Sequence, residues 1–169
     1  MRRHTAAGEW VLLSYRLPRE PSTPRINLWR KLKKLGVAQL ADGVVALPSD
    51  DRTREQFEWL ADEVVESGGQ AGVWLAYPST ASQERELTAQ IADARAAEYS
   101  ELESAASAAA VLGASAPAGV LRRLRTQWRQ ITRRDFFPPP ERDRARAALD
   151  ALAAAIEETA RNDAEEVSP

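Results

Sequence analysis

Short apolar runs bounded by turn-forming residues define the strands that the first half of the chain predicts. Trp10–Pro18 is rich in strand formers and is stopped by proline, so it predicts a buried strand. Val37–Pro48 predicts two short strands joined by a tight turn at Asp42-Gly43, which is a strong hairpin signal. Gln70–Pro78 predicts a last strand.

Apolar positions that recur every three or four residues predict a helix after the first strand. Ser22 or Thr23 can cap this helix, Pro24 suits its first turn, and Gly36 ends it. Its expected core stripe is formed by Leu28, Trp29, Leu32 and Leu35.

A second helix is predicted before the last strand. Thr53 and Gln56 fit a capping box at its start, and Gly68-Gly69 terminates it. Its expected core stripe is formed by Phe57, Leu60, Ala61 and Val64. The order strand, helix, strand, strand, helix, strand is that of a ferredoxin-like α+β fold, in which both helices cover one face of an antiparallel sheet.

The remainder of the chain has the composition of helices. After a linker at Pro78–Ser82, the expected helices run from about Gln83 to Leu112, through the segment Gly119–Arg134, and roughly from Glu141 to Ala160. We therefore expect a ferredoxin-like domain over residues 9–78, an extension of three helices over 83–161, and flexible termini over 1–8 and 162–169.

Positive charge is concentrated in two segments of a chain whose net charge is -2. "RINLWRKLKK" (Arg25–Lys34) holds five cations and "GVLRRLRTQWRQITRR" (Gly119–Arg134) holds six, and neither contains an acid. Surface helices usually interleave opposite charges. Cations on one helix face can instead neutralise neighbouring phosphates and release their counterions. Contact with nucleic acid is therefore our hypothesis for both segments.

Ordinary structural roles remain as alternatives for these segments and for the tryptophans. The first basic segment can be a solvated helix face, and the second can face the acidic helix Gln83–Glu103. Core packing is expected, rather than base stacking, for Trp10, Trp29, Trp74 and Trp128. Trp59 lies off its helix's main stripe, so we expect it to be partly exposed.

Composition excludes several classes of site. The chain has no cysteine for disulfides or thiolate metal sites, and its one histidine, His4, lies in a terminus expected to be frayed. No apolar run approaches the ~20 residues of a membrane helix, and the N-terminus does not resemble a signal peptide. Asp50-Asp51 precede a helix, where capping accounts for them. We expect a soluble, cytoplasmic protein with no cofactor, no metal and no catalytic residues.

Several motifs occur in order along the chain: "LPREPS", "WRKLKKLG", "GVVALP", "REQFEWLA", the "GG" before the last strand, and "RRDFFP" further on. Together they resemble the N-terminal domain of the ChrB family of chromate-resistance proteins. The middle part is also similar to the phenylacetate-responsive repressors and to the ferredoxin-like nucleases of CRISPR adaptation. Those nucleases need an acid at the end of the first strand to hold metal. This chain has Tyr15, Arg16 and Leu17 there, so a nuclease is not expected.

The resemblance implies a bacterial transcriptional regulator of a chromate-efflux operon that binds DNA upstream of its own operon, with a homodimer as the expected state. Longer family members carry a further domain tied to chromate sensing, so we expect sensing to need a separate domain or protein. The alternative is a protein-interaction or dimerisation module that binds no DNA. The expected DNA-binding residues are Arg19, Arg25, Arg30, Lys31, Lys33 and Lys34, with Arg122, Arg125 and Arg129 as a second platform.

Overall fold

The computed structural model describes residues 8–166 and contains both strands and helices, which confirms a mixed α/β protein. The strands are β1 (Trp10–Arg16), β2 (Ala38–Ala41), β3 (Val44–Pro48) and β4 (Gln70–Ala76). The helices are α1 (Thr23–Leu35), α2 (Asp51–Glu66), α3 (Ala81–Leu112), α4 (Val120–Thr132) and α5 (Glu141–Glu166). His4 and the outer parts of the two expected flexible termini, residues 1–7 and 167–169, lie outside the described residues.

The four strands form one antiparallel sheet in the order β2-β3-β1-β4. On β1, Leu12 lies opposite Ala46 of β3 and Trp74 of β4. The predicted turn at Asp42-Gly43 joins β2 to β3 and is confirmed. Gly43 has a φ of 75°, and a Cβ there would lie 2.4 Å from the carbonyl oxygen of Tyr15, so this turn requires glycine.

The two short helices bury one stripe each. Helix α2 contacts β1, β4 and α1. Its predicted stripe is confirmed, because Phe57, Leu60 and Val64 are buried and Ala61 is half-buried. In α1 the buried residues are Leu28 and Leu32. The strands contribute alternate residues to this core: Val11, Leu13, Val45 and Leu47.

The start of α2 differs from the predicted capping box. Asp50 is the cap, and its carboxylate accepts a hydrogen bond from the Thr53 N–H while the Thr53 hydroxyl accepts one from the Asp50 N–H. The Thr53–Gln56 box is therefore wrong, because Thr53 is the third residue of the helix. The buried Thr53 hydroxyl donates to the Pro48 carbonyl at 2.7 Å, which ties α2 to the end of β3.

The ends of α1 follow the prediction more closely. Pro24 lies in its first turn, and Gly36 ends it with a left-handed φ of 71°. Ser22 occupies the cap position but makes no capping hydrogen bond with its side chain. Helix α1 is therefore held by its buried leucines and its C-terminal glycine rather than by a side-chain cap.

Two tryptophans that we expected in the core are exposed. Trp29 exposes 59% of its surface and Trp74 exposes 61%, whereas Trp10 is buried as expected and Trp59 is exposed as expected. Trp29 is about 100° from Leu28 around the helix, which places it at the margin of the buried stripe. Trp74 lies on β4, the edge strand of the sheet, where one partner strand is missing.

The chain divides into two compact units between Ile91 and Ala92, within α3. The predicted domain bounds, 9–78 and 83–161, stay predictions. In the second unit Trp128 is half-buried, with its ring centroid 5.3 Å from that of Tyr99. Helices α3, α4 and α5 share a buried cluster whose larger members are Tyr99, Leu102, Leu124, Ile131, Leu149 and Leu152. Helix α5 extends to Glu166, beyond its predicted end at Ala160.

The exposure of Trp29 changes the effect expected from its substitution. Phe57→Ala should lower the free energy of unfolding by about 3–5 kcal/mol, because the Phe57 ring is fully buried. Trp29→Ala should lower it by no more than about 1 kcal/mol, because most of its surface is already in water. Chemical denaturation of both variants measures this contrast. Equal losses for the two would contradict the exposed position of Trp29.

Tyr99 should make the second unit sensitive to alkaline pH. Burial, together with the hydrogen bond that its hydroxyl donates to Asp135 at 2.9 Å, raises the pKa of Tyr99 to about 12. Unfolded tyrosine ionises near its ordinary pKa of about 10, so the folded state should lose stability between about pH 10 and 12. Denaturation across this window should show a shallower decline for Tyr99→Phe than for the parent chain. An equally steep decline would contradict this assignment.

Candidate nucleic-acid interface

Helix α1 presents one face to the core and the opposite face to solvent. Burial of Leu28 and Leu32 fixes its rotation, because successive residues advance by about 100° around an α-helix. The residues on the opposite face are all exposed: Ile26, Arg30, Lys33 and Lys34. Helix α1 contains no acid, so the charge on this outer face is entirely positive.

Lys31 is set apart from the other cations of α1. Its ammonium donates to the carboxylate of Glu63 on α2, at 2.7 Å to Oε2, and both side chains are about half exposed. An ion pair as exposed as this one contributes about 0–1 kcal/mol to stability. The partner nevertheless neutralises part of its charge, so Lys31 offers a phosphate less than Arg30 does.

Trp29 is a candidate functional residue that our sequence analysis assigned to the core. Its ring lies under the ammonium of Lys33, with Nζ 4.9 Å from the ring centroid, which is a cation–π contact. Arg25, Trp29 and Lys33 are spaced four residues apart, so they form a stripe along α1. Positively charged and aromatic side chains together can contact phosphates and stack on bases. The angular distance of Trp29 from Leu28 was the signal that could have revealed its exposure.

A groove of about 910 Å³ lies between this stripe and the end of β1. Its lining includes two guanidinium groups, from Arg16 and Arg25, and two aromatic rings, from Tyr15 and Trp29. Burial, and then the negative charge of Asp42, raises the pKa of Tyr15, so its hydroxyl stays neutral at physiological pH. The groove can therefore receive a phosphate and an adjoining flat ring.

The predicted DNA-binding residues of the first unit all lie on α1 or on the connection that leads into it. Arg19 is exposed in the connection between β1 and α1. Arg25 lines the groove, Arg30 lies on the outer face of α1, and Lys31 is turned toward α2. The structure therefore brings most of the predicted cations to one helix and separates Lys31 from them.

Helix α2 carries the opposite charge. Its exposed residues include Glu55, Glu58, Asp62 and Glu66, and the exposed Trp59 lies among them. The cations of α1 and the acids of α2 are thus on separate helices, joined by the pair of Lys31 and Glu63. A phosphate backbone is attracted to the first surface and repelled by the second.

Helix α4 has a second cationic face. Val120, Leu124 and Ile131 are buried on one side. On the other side, Arg122, Arg125 and Arg129 are exposed and line a groove of about 550 Å³. Among the residues that the structure describes, none of these three arginines makes an ion pair, and Arg129 donates to the Thr126 hydroxyl.

The alternative role of the second basic segment, contact with the acidic helix, applies to Arg134 and not to the three arginines that line the groove. Arg134 donates to both carboxylate oxygens of Glu98 on α3, at 3.2 and 3.3 Å. Glu98 also pairs with Arg95, which is almost fully buried, and desolvation of this group lowers the pKa of Arg95. The end of the arginine-rich segment therefore pairs with helix α3, while Arg122, Arg125 and Arg129 face solvent.

The described part of the chain offers neither a metal site nor a membrane-spanning helix. Among the side chains that the structure describes, those of residues 8–162, no three of His, Cys, Asp or Glu gather closely enough to hold a metal ion. Within that described range, no helix is both long enough and apolar enough to cross a bilayer. Tyr15 and Arg16 occupy the end of β1, as the sequence places them.

Comparison with known proteins identifies the family. The family described as "Protein ChrB, N-terminal" matches residues 25–108, from α1 into α3. Protein ChrB of Cupriavidus metallidurans is 33% identical over 133 residues, which cover 76% of this chain and 40% of that protein. The chain thus spans less than half the length of this relative. The N-terminal sequence motifs had implied the same family, and the chain belongs to the ChrB family through its N-terminal domain.

Proposed function

We propose that this chain is a DNA-binding transcriptional regulator of chromate resistance, without enzymatic activity, and that α1 carries its main DNA-contacting face. Membership of the ChrB family supports the regulatory role. The observation that carries the DNA contact is the exposed outer face of α1, which has cations and no acid and is flanked by the exposed Trp29. In a chain with a net charge of -2, overall charge does not account for this face.

The proposed interface makes two kinds of contact with DNA. Arg30, Lys33 and Lys34 neutralise phosphates, which positions the protein on DNA but carries no sequence information. Arg25 and Trp29, at the groove, contact the nucleotide more closely. The arginines of α4 form a second phosphate-binding platform.

Several further features accompany this proposal. We infer a ferredoxin-like fold for the first unit, because its element order and its β2-β3-β1-β4 sheet fit that arrangement. Tyr15 and Arg16 at the end of β1 support a protein without nuclease activity. The relative is much longer than the matched region, so we assign chromate sensing to a separate domain or protein. The site of action is the bacterial cytoplasm, where the DNA is.

A second candidate function is a protein-interaction or dimerisation module that binds no DNA. The exposed Trp74 and Leu75 on strand β4 favour it, because each offers exposed apolar area, on its own face of the sheet, to another protein chain. An electrophoretic shift of the DNA upstream of the chain's own operon separates the two candidates. Retardation of that DNA supports the regulator, and free DNA at all protein concentrations supports the module.

The triple variant Arg30→Ala, Lys33→Ala, Lys34→Ala should lose most of its affinity for this DNA and keep its thermal unfolding, because the three side chains are exposed. If each cation meets one phosphate, at ~0.9 per phosphate, the slope of log affinity against log salt should become shallower by about 2.7. Fluorescence anisotropy over a series of salt concentrations measures the affinity and the slope together.

A matched control removes the same charge elsewhere. Arg85, Arg146 and Arg161 are exposed on α3 and α5, and their replacement by Ala should leave the affinity and the slope near those of the parent chain. If the α1 variant instead binds DNA like the parent, with the same salt slope, its outer face is a solvated surface and the interaction module is favoured.

A separate variant tests the cationic face of α4. Changing Arg122, Arg125 and Arg129 together to Ala should also make the salt slope shallower, by up to about 2.7. Arg134→Ala should lower thermal stability and leave the slope unchanged, because Arg134 is paired with Glu98. The same anisotropy series compares the two variants. A parent-like slope for the triple variant would remove α4 from the proposed interface.

A further inference from the structure

The two edge strands of the sheet differ in how well they are protected from pairing with another chain. Strand β2 forms one edge; it has four residues, and its pairing with β3 is irregular between Gln39 and Ala41. The side-chain amide of Gln90 also covers this edge, because its Oε1 accepts from the Gln39 N–H at 2.9 Å and its Nε2 donates to the Gln39 carbonyl at 3.3 Å. Short, irregular and covered edges resist pairing with another chain.

Strand β4 forms the other edge and lacks these protections. It has seven residues, no charge and no proline, and its register with β1 is continuous. In the described part of the chain β4 pairs with β1 alone. Two large apolar side chains on it are exposed, Trp74 by 61% and Leu75 by 52%. Such an edge is a template for one more strand.

The hydrogen bonds of β1 show which groups of β4 point outward. The Tyr15 N–H donates to the Gly43 carbonyl at 2.8 Å, and the Glu9 carbonyl accepts from the Ser49 N–H at 3.0 Å. The odd-numbered residues of β1 therefore direct their backbone groups toward β3. Because alternate residues of a strand bond to opposite sides, the even-numbered residues of β1 bond to β4.

The register carries this alternation across to β4. Even-numbered residues of β1 lie opposite even-numbered residues of β4, as Leu12 lies opposite Trp74. The odd-numbered residues Ala71, Val73 and Leu75 therefore direct their N–H and C=O groups away from the sheet. Among the residues that the structure describes, no other group bonds to them, so they form a regular row of free donors and acceptors along the edge.

We propose that β4 pairs with β4 of a second copy of this chain, antiparallel and centred on Val73. The strand is complementary to itself in this register. Leu75 lies opposite Ala71 of the second copy, and Trp74 lies opposite Gly72 of the second copy, so each large exposed side chain meets a small residue. The three outward-facing residues of each strand pair with those of the other. The two sheets become one continuous sheet, and the inference does not depend on DNA binding.

The mass of the full chain in solution tests this pairing. Light scattering after size-exclusion chromatography should give twice the chain mass of 18.6 kDa. Val73→Pro should give a monomer, because proline removes a central outward N–H while the ladder to β1 does not use that group. Leu75→Lys, which places a charge on the edge, is a second variant expected to be monomeric. The control Leu40→Lys changes an exposed residue of the other edge and should remain dimeric.

Cross-linking tests the register itself. The chain has no cysteine, so a single introduced cysteine can form a disulfide solely with its own copy. Residues in a hydrogen-bonded antiparallel pair have Cα atoms about 5.5 Å apart, within reach of a disulfide. Val73→Cys at the centre should therefore cross-link under mild oxidation. Gln70→Cys, at the end of the same strand, should not, because it lies opposite Ala76 of the second copy.

Several outcomes would overturn the proposal. If the parent chain is a monomer across the micromolar range, β4 does not pair with a second copy. An extended segment of another protein would then be the favoured partner of this edge. A dimer that survives both Val73→Pro and Leu75→Lys, with circular dichroism showing folded variants, would place the interface elsewhere. Faster cross-linking of Gln70→Cys than of Val73→Cys would rule out the proposed register.

Discussion

The burial of Leu28 and Leu32 is the constraint on which the candidate interface depends. These two side chains fix the rotation of α1 about its axis. Every cation of this acid-free helix must then lie on its flanks or its outer face, and Trp29 must lie at the margin. The same rotation turns Lys31 toward Glu63 of α2. The two buried leucines thus place cations that are adjacent in sequence either on the exposed outer face or, for Lys31, on a flank where an acid neutralises part of the charge.

Local patterns in the sequence predicted the elements of the fold because those patterns have local causes. Proline stops, the Asp42-Gly43 turn and the spacing of Phe57, Leu60 and Val64 each act within a few residues. The errors arose where tertiary context decides. Trp74 was expected in the core because it is apolar and lies in a strand, but it is opposite Leu12, on the face away from the buried Val11 and Leu13, and β4 is an edge. Sequence alone gives neither the register nor the strand order. Lys31 was grouped with its neighbours because its partner is on another helix.

The candidate site was predictable in its charge and less so in its aromatic part. Six cations of the first unit were named from composition along the chain, and the structure places them on or beside α1. The groove between Arg25 and β1 requires the sheet and the helix together, so no local pattern reveals it. The proposed pairing of β4 with a second copy would add a partner surface on a different element from α1. A two-fold dimer would carry two α1 faces, which is how many regulators match symmetric DNA sites.

Three exposed tryptophans allow the most direct test of the DNA-contacting face. Trp29 on α1, Trp59 on α2 and Trp74 on β4 have similar exposures, 59%, 68% and 61%, so each reports on its own element. A nuclear magnetic resonance titration with the DNA upstream of the operon follows their indole N–H signals. We expect the Trp29 signal to shift on DNA binding, while that of Trp59, among the acids of α2, stays in place. A shift of Trp59 with Trp29 unchanged would contradict this expectation.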